Sequence, residues 1–182
     1  MRARWTCPDC GLDYDSIAAG DTAVAVQSFP RRYRALLTTM EQEDDRGSIM
    51  HRRPDPGTWS AVEYTAHVAD VLDELATGIR RVVVEDRPTV RAWDPDQRAA
   101  EQRYAEQDRE QALASLDAAC ARLAGVLEGV DPGDWNRTGT MDWGERDALT
   151  LARDAVHEGA HHLRDLERGL RAVRGRRFDE ED

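Results

Sequence analysis

Four long stretches of this chain repeat apolar residues at the three- and four-residue spacing of an amphipathic helix. We expect helices over residues 21–43, 60–85, 108–129 and 147–171. Each helix would have one apolar stripe, and such stripes leave water by packing against one another. The pattern therefore predicts an all-α protein built as a four-helix bundle.

Local signals support two of the helix starts. Ser60 is followed three residues later by Glu63, and Asp108 by Gln111, and both pairs have the form of a capping box. Pro30 falls inside the first stretch, so we expect that helix either to start at that point or to be kinked there.

The connection over residues 86–107 is long for a compact bundle. About 20 extended residues reach ~65 Å, whereas the second helix would be ~38 Å long. The connection can therefore return along the bundle and leave the second and third helices parallel, which gives an up-down-down-up topology. The Gly-rich segment 135–146 contains two tryptophans and is expected to form a small hairpin or a lid.

Histidines provide the main chemical signal. His157 and His161 are four residues apart, so they lie on one helix face, and His67 lies on the inward stripe of the second helix. Burying three imidazoles as separate core residues would leave polar nitrogens to satisfy, which is costly. We therefore expect His67, His157 and His161 to bind one divalent metal with an open fourth position. Zinc suits this set best, and nickel can also occupy it.

We expect other residues to support this site. Asp70 and Asp165 follow two of the histidines by three and four residues, and either could accept a ligand's second N–H, although exposed acids on a charged face are the simpler interpretation. His162 is predicted to flank the pocket or to be exposed. Three tryptophans are candidates for lining the pocket: Trp59, Trp93 and Trp143.

The N-terminal segment contains a Cys-x-x-Cys turn, Cys7 to Cys10, which resembles half of a zinc ribbon. The missing ligands could come from a second subunit, from His51 or from the histidine cluster. A redox-active or idle thiol pair is the alternative. We predict that the pair binds a second, structural zinc or joins another site, and takes no part in catalysis. The third cysteine, Cys120, fits an apolar stripe and is expected in the core.

These features divide the chain into three parts: a Cys-x-x-Cys head over residues 1–20, a bundle over 21–173 and a charged tail over 174–182. The net charge of −11 disfavours nucleic acid and anionic membranes as partners. The sequence has no apolar run of ~20 residues and no signal-peptide segment, so we expect a cytoplasmic protein. All 25 basic residues are arginine, as in proteins from GC-rich genomes.

The helical motifs resemble those of the DinB-like superfamily of metal-binding four-helix bundles. Trp59-Ser-Ala-Val-Glu-Tyr-x-x-His67 is similar to the family's second helix, and His157-Glu-Gly-Ala-His161 is similar to its last helix. The resemblance covers residues 22–172, and the Cys-x-x-Cys head departs from the family pattern. It implies metal binding by His67, His157 and His161, in a family that includes thiol-dependent transferases and mycothiol-dependent maleylpyruvate isomerases.

Two classes of function follow. The first is a metal-dependent thiol transferase or isomerase, in which a small thiol, of the mycothiol type if the source is actinobacterium-like, meets a small electrophile. In such an enzyme, arginines would bind the carboxylate of the thiol or of the substrate, and the candidates are Arg80, Arg91 and Arg164. The second is a non-catalytic module that binds a metal or a small ligand. A homodimer is compatible with either class.

Overall fold

The structure is a computed structural model that describes residues 5–41 and 49–179. In chain order its helices are α1 (Ala19–Glu41), α2 (Ala61–Val84), α3 (Pro95–Glu101), α4 (Arg109–Glu128) and α5 (Ala148–Asp179). Its strands are β1 (Thr89–Val90), β2 (Thr138–Met141) and β3 (Gly144–Asp147). The four long helices form the bundle, so the predicted all-α class is confirmed.

Around the bundle, α1 packs against α4 and α5, and α2 packs against the same two helices. Helices α1 and α4 are antiparallel, because Gln27 contacts Glu128 and Arg34 contacts Glu110. Helices α1 and α5 are parallel, because Ile17, just before α1, contacts Arg153 and Tyr33 contacts Gly159. Helices α2 and α5 are antiparallel, because Tyr64 contacts His162 and Gly78 lies near Leu151. The predicted up-down-down-up topology is therefore confirmed.

Helix starts agree with the local signals in two cases. The capping boxes of α2, at Ser60 and Glu63, and of α4, at Asp108 and Gln111, are both formed. Helix α1 begins at Ala19 and continues through Pro30, so a start at the proline is wrong. The buried stripe that includes Phe29 runs on both sides of the proline, and its packing outweighs the one lost backbone hydrogen bond.

The connection between α2 and α4 is more ordered than the sequence suggested, since it contains β1 and α3. Strand β1 pairs parallel with β2, which pairs antiparallel with β3. The hairpin expected within residues 135–146 is thus present, and it joins β1 in a three-stranded sheet. This sheet and α3 lie beside α2 and α5 and contribute to the wall of a cavity.

The N-terminal segment packs on α5. Tyr14 Oη donates to the Thr150 carbonyl at 2.8 Å, and Arg168 Nη2 donates to the Asp9 carbonyl at 2.6 Å. The predicted core position of Cys120 is confirmed, since its side chain is buried among the bundle helices. Within the described ranges, no helix has the length and apolar character needed to cross a membrane.

Candidate metal centres

The middle of α5 carries five side chains able to bind metal, and four of them form two pairs offset by one residue. His157 and His161 form one pair, with ring centroids 5.2 Å apart. Glu158 and His162 form the other, with Oε2 and Nε2 3.2 Å apart. Consecutive residues of a helix differ in direction by ~100°, so the two pairs point to different sides of α5. One pair faces the N-terminal segment and the other faces α2.

The first side of α5 meets the Cys-x-x-Cys turn. The turn is closed by a hydrogen bond of 2.8 Å from the Gly11 N–H to the Cys7 carbonyl, and Gly11 has a φ of +76°, which favours glycine. Cys7, Cys10, His157 and His161 each offer a ligand atom, and these four atoms lie within 4.8 Å of one another. We call these four residues the knuckle cluster.

Cys7 is the most buried thiol of this cluster, with 2% of its surface exposed. Burial opposes its ionisation, but hydrogen bonds from the backbone of Cys10 and Asp9 and the nearby rings of His157 and His161 lower its pKa to about 6. Burial and the neighbouring Cys7 thiolate raise the pKa of Cys10. One member of the pair is therefore ready to ionise near neutral pH, and the thiolate is the form that binds metals.

The second side of α5 faces α2. His67, Glu158 and His162 each offer a ligand atom there, and these three atoms also lie within 4.8 Å of one another. We call these three residues the pocket cluster. The ring of His67 is buried, lies 4.9 Å from the ring of His162, and is flanked by Trp59 and Trp93.

The three side chains of the pocket cluster differ in charge. Burial and the nearby positive charge of His162 lower the pKa of His67 to about 4, so His67 is neutral at pH 7. Burial opposes the charge of His162, but its hydrogen bonds to Asp165 and Glu158 raise its pKa to about 9. Burial also opposes ionisation of Glu158, and the contact with His162 lowers its pKa nonetheless. A neutral ring thus lies beside an ion pair.

The two predicted supporting acids have different surroundings. Asp165 Oδ2 lies 3.0 Å from His162 Nδ1 and 3.4 Å from His161 Nε2, so one carboxylate contacts a histidine of each cluster. Asp70 instead accepts hydrogen bonds from Arg98 Nε at 2.8 Å and from Tyr104 Oη at 2.7 Å. It therefore ties the connection before α4 to α2.

The structure divides the predicted three-histidine set between the two clusters. His157 and His161 lie with the cysteines, whereas His67 lies with Glu158 and His162. The single site is corrected accordingly. The reason is rotational, because α2 packs on the side of α5 that carries Glu158 and His162, ~100° from the side that carries the predicted ligands.

Sequence reasoning missed the ligand potential of Glu158 and His162. The signal that could have found it was present, since Glu158 and His162 have the same four-residue spacing as His157 and His161. Of the partners considered for the Cys pair, His51 is exposed and belongs to none of the clusters of described residues.

The pocket cluster borders a cavity of about 690 Å³, whereas none of the knuckle-cluster residues lines it. The predicted wall residues Trp59, Trp93 and Trp143 do line the cavity. Among the arginines, Arg91 and Arg146 line it, but Arg80 and Arg164 do not. The volume is in the range of small-ligand sites.

The residues of the pocket cluster fit a divalent metal. Within the described part of the chain, the buried Nδ1 of His67 has no hydrogen-bond partner, which is costly unless a ligand satisfies it. Two histidines and one glutamate are a donor set of catalytic zinc sites, which keep a further position open. The carboxylate of Asp165 on His162 is the outer partner that such ligands usually have.

Comparison with known proteins gives one family match. The model of the DinB superfamily matches residues 25–166, which include both clusters except the two cysteines. No functionally curated protein matches the chain.

Solved structures that share the fold include a probable hydrolase and an isomerase. YfiT from Bacillus subtilis, described as a probable metal-dependent hydrolase with an unusual four-helix bundle topology, superposes with a TM-score of 0.75 at 15% identity, over 86% of this chain and 90% of YfiT. A histidine-to-alanine variant of mycothiol-dependent maleylpyruvate isomerase superposes with a TM-score of 0.65 at 15% identity, over 84% of this chain and 62% of that one. At this identity the likeness concerns the fold.

Proposed function

This chain belongs to the DinB superfamily, and we propose that it is a metal-dependent enzyme that transfers a low-molecular-weight thiol to a small electrophile or isomerises that electrophile through the thiol. One observation carries the proposal: His67, Glu158 and His162 converge at the wall of a cavity of about 690 Å³. A converging donor set beside a cavity combines a reactive centre with room for substrates.

The pocket cluster would hold the metal, which we expect to be zinc, with nickel as an alternative. When bound, a divalent ion there supplies Lewis acidity, which lowers the pKa of a thiol or water at the open position. His67 is suited to this role because it is neutral at pH 7. Asp165 holds Nδ1 of His162, so a metal would bind Nε2 and displace the proton that Nε2 now shares with Glu158.

The cavity walls supply binding and exclusion of water. The indole of Trp59 packs 4.8 Å from the His67 ring, and Trp93 contacts the same ring from another side. These apolar surfaces keep water from the reacting groups, which strengthens every charge interaction in the site. They also offer flat faces to an apolar or unsaturated part of a substrate.

Two arginines of the cavity can bind a substrate that has a carboxylate. The guanidinium groups of Arg91 and Arg146 border the cavity and can form paired hydrogen bonds with a carboxylate. Glu74, Asp96, Asp154 and Glu158 also line the cavity, so its charge is mixed, and we expect it to accept a polar thiol beside an electrophile held by the arginines. A mycothiol-type thiol agrees with the lysine-free composition, which fits a GC-rich, actinobacterium-like source. It also agrees with the fold shared with the mycothiol-dependent isomerase.

A second candidate is hydrolysis without a thiol. The donor set of two histidines and one glutamate is also that of zinc peptidases, and YfiT is described as a probable metal-dependent hydrolase. The two reactions differ in one requirement, since only the first needs a thiol. A protein that binds metal but turns over nothing would be the non-catalytic module considered above.

The test combines metal analysis with turnover. Metal-loaded protein is incubated with maleylpyruvate and other small electrophiles, with and without mycothiol, and His67→Ala is compared with His51→Ala. We expect thiol-dependent turnover in the wild type and in His51→Ala, which changes an exposed histidine. His67→Ala should lose one metal ion and more activity than the ~10–100-fold that follows loss of an outer partner of a ligand.

Two outcomes would contradict the proposal. Equal turnover rates for wild type and His67→Ala would show that the pocket cluster takes no part in the reaction. Turnover of esters or amides that is independent of thiol but lost in His67→Ala would favour the hydrolase.

A further inference from the structure

We propose that Cys7, Cys10, His157 and His161 form a second metal site, a closed Cys₂His₂ zinc site that fastens the N-terminal segment to α5. The sequence left the partners of the cysteines open, and the structure supplies both from one face of α5. The site is distinct from the pocket cluster and uses none of its residues.

The ligand geometry agrees with tetrahedral zinc. With Zn–S near 2.3 Å and Zn–N near 2.05 Å, a tetrahedral site separates a sulfur from a nitrogen ligand by about 3.6 Å. Cys7 Sγ and His161 Nδ1 are 3.5 Å apart. All four ligand atoms fall within 4.8 Å of one another, so one ion can reach all of them. The chain spacings, Cys-x-x-Cys and His-x-x-x-His, are also those of structural zinc sites.

An independent observation at His157 points to a missing ligand. Its Nε2 is buried and has no hydrogen-bond partner among the described residues. The ring is enclosed by Trp5, with centroids 5.3 Å apart, and by Tyr14, with centroids 6.5 Å apart. Neither aromatic contact satisfies a ring nitrogen, whereas a zinc ion would.

The outer contacts of the site are also those of a metal centre. His161 directs Nδ1 to the sulfur of Cys7 and Nε2 to Asp165, 3.4 Å away. A histidine ligand usually has such a carboxylate on its second nitrogen. Asp165 contacts His162 as well, so one carboxylate orients a ligand of each centre.

The composition of the site indicates a structural role. Four protein ligands complete a tetrahedron and leave no position for a substrate, and none of the four residues lines the cavity. A disulfide between the cysteines would leave His157 Nε2 unsatisfied and would not join the N-terminal segment to α5. A zinc ion would satisfy His157 Nε2 and join the N-terminal segment to α5. It would also fix the turn of α5 that carries Glu158 and His162.

The test uses the full-length protein loaded with Co²⁺ in place of zinc. Thiolate ligands give cobalt intense charge-transfer absorption in the near ultraviolet, which histidine and carboxylate ligands do not. We expect two divalent ions per chain and this absorption in the wild type. Cys7→Ser should lose one ion and the absorption, whereas Cys120→Ala, which changes a cysteine outside both clusters, should keep both.

The outcomes separate this site from the pocket cluster. His67→Ala should keep the thiolate absorption whether or not the protein proves to be an enzyme. Absence of thiolate absorption in the cobalt-loaded wild type would overturn the proposal, and this measurement stands even if Cys7→Ser fails to fold. Retention of two ions and the absorption by Cys7→Ser would overturn it as well.

Discussion

Gly159 lies on α5 between the two members of each pair of potential ligands, and we expect Gly159→Ala to destabilise the protein. A Cβ at this position would lie 2.5 Å from Cζ and 2.6 Å from Cδ2 of Phe29. Carbon atoms do not approach so closely, so the phenyl ring or the helix must move. Phe29 is only 1% exposed, and movement of a buried ring in a close-packed core is costly.

Two effects of opposite sign decide the magnitude. Alanine is favoured over glycine inside a helix by about 1 kcal/mol. Overpacking a tight core costs about 1–3 kcal/mol, and contact with several atoms of one buried ring suggests the upper end. The net loss should therefore be about 2 kcal/mol. For a chain of this size this corresponds to a fall in Tm of roughly 4–8 °C.

The assay is unfolding by guanidinium and by heat, with Gly125→Ala as the matched control. Gly125 lies in α4 and has open space around its Cβ direction, so that variant should gain about 1 kcal/mol. Combining Gly159→Ala with Phe29→Leu should cost less than the sum of the single changes, because the smaller side chain makes room for the methyl group. A Gly159→Ala protein as stable as Gly125→Ala, or strict additivity in the double variant, would refute the argument.

Three further predictions concern residues away from the metal centres. Glu63 is buried; burial opposes its ionisation, but hydrogen bonds from Arg53 hold its pKa below the ordinary 4.5. Glu63→Gln should thus lower the free energy of unfolding by about 1–3 kcal/mol at neutral pH. Denaturation measured across pH should show this difference from wild type shrinking as the pH falls through the lowered pKa. A difference that stays constant with pH would contradict the ion pair. Burial raises the pKa of Cys120 to about 12, so mass spectrometry after iodoacetamide treatment should find it alkylated only in unfolded protein, and rapid native labelling would contradict the buried position. Gly139→Ala would bring a Cβ within 2.9 Å of the Pro88 carbonyl, so its Tm should fall by an amount that corresponds to about 1–3 kcal/mol, and an unchanged Tm would mean that the strands can separate at little cost.

The helices were predictable because their signals are local. The capping boxes at Ser60 and Asp108 act within one turn, and the apolar spacing of each stretch reports a helical face without knowledge of its partner. The path of α1 through Pro30 was less predictable, since the proline's local preference was outweighed by burial of the stripe around it. The order found in the connection between α2 and α4 also depends on distant residues, because β1 pairs with β2 some 50 positions later in the chain.

The sequence by itself determined which residues of α5 can act in pairs, because a four-residue spacing on a helix brings side chains together whatever surrounds them. It also determined the Cys7–Cys10 turn. Only the tertiary structure decided which pair meets which partner. The rotation of α5 about its own axis is set by its packing against α1 and α2, and ~100° separates the direction of His157 from that of Glu158. That rotation places His157 against the cysteines and Glu158 against His67, and so divides between two candidate centres the histidines that were predicted to share one.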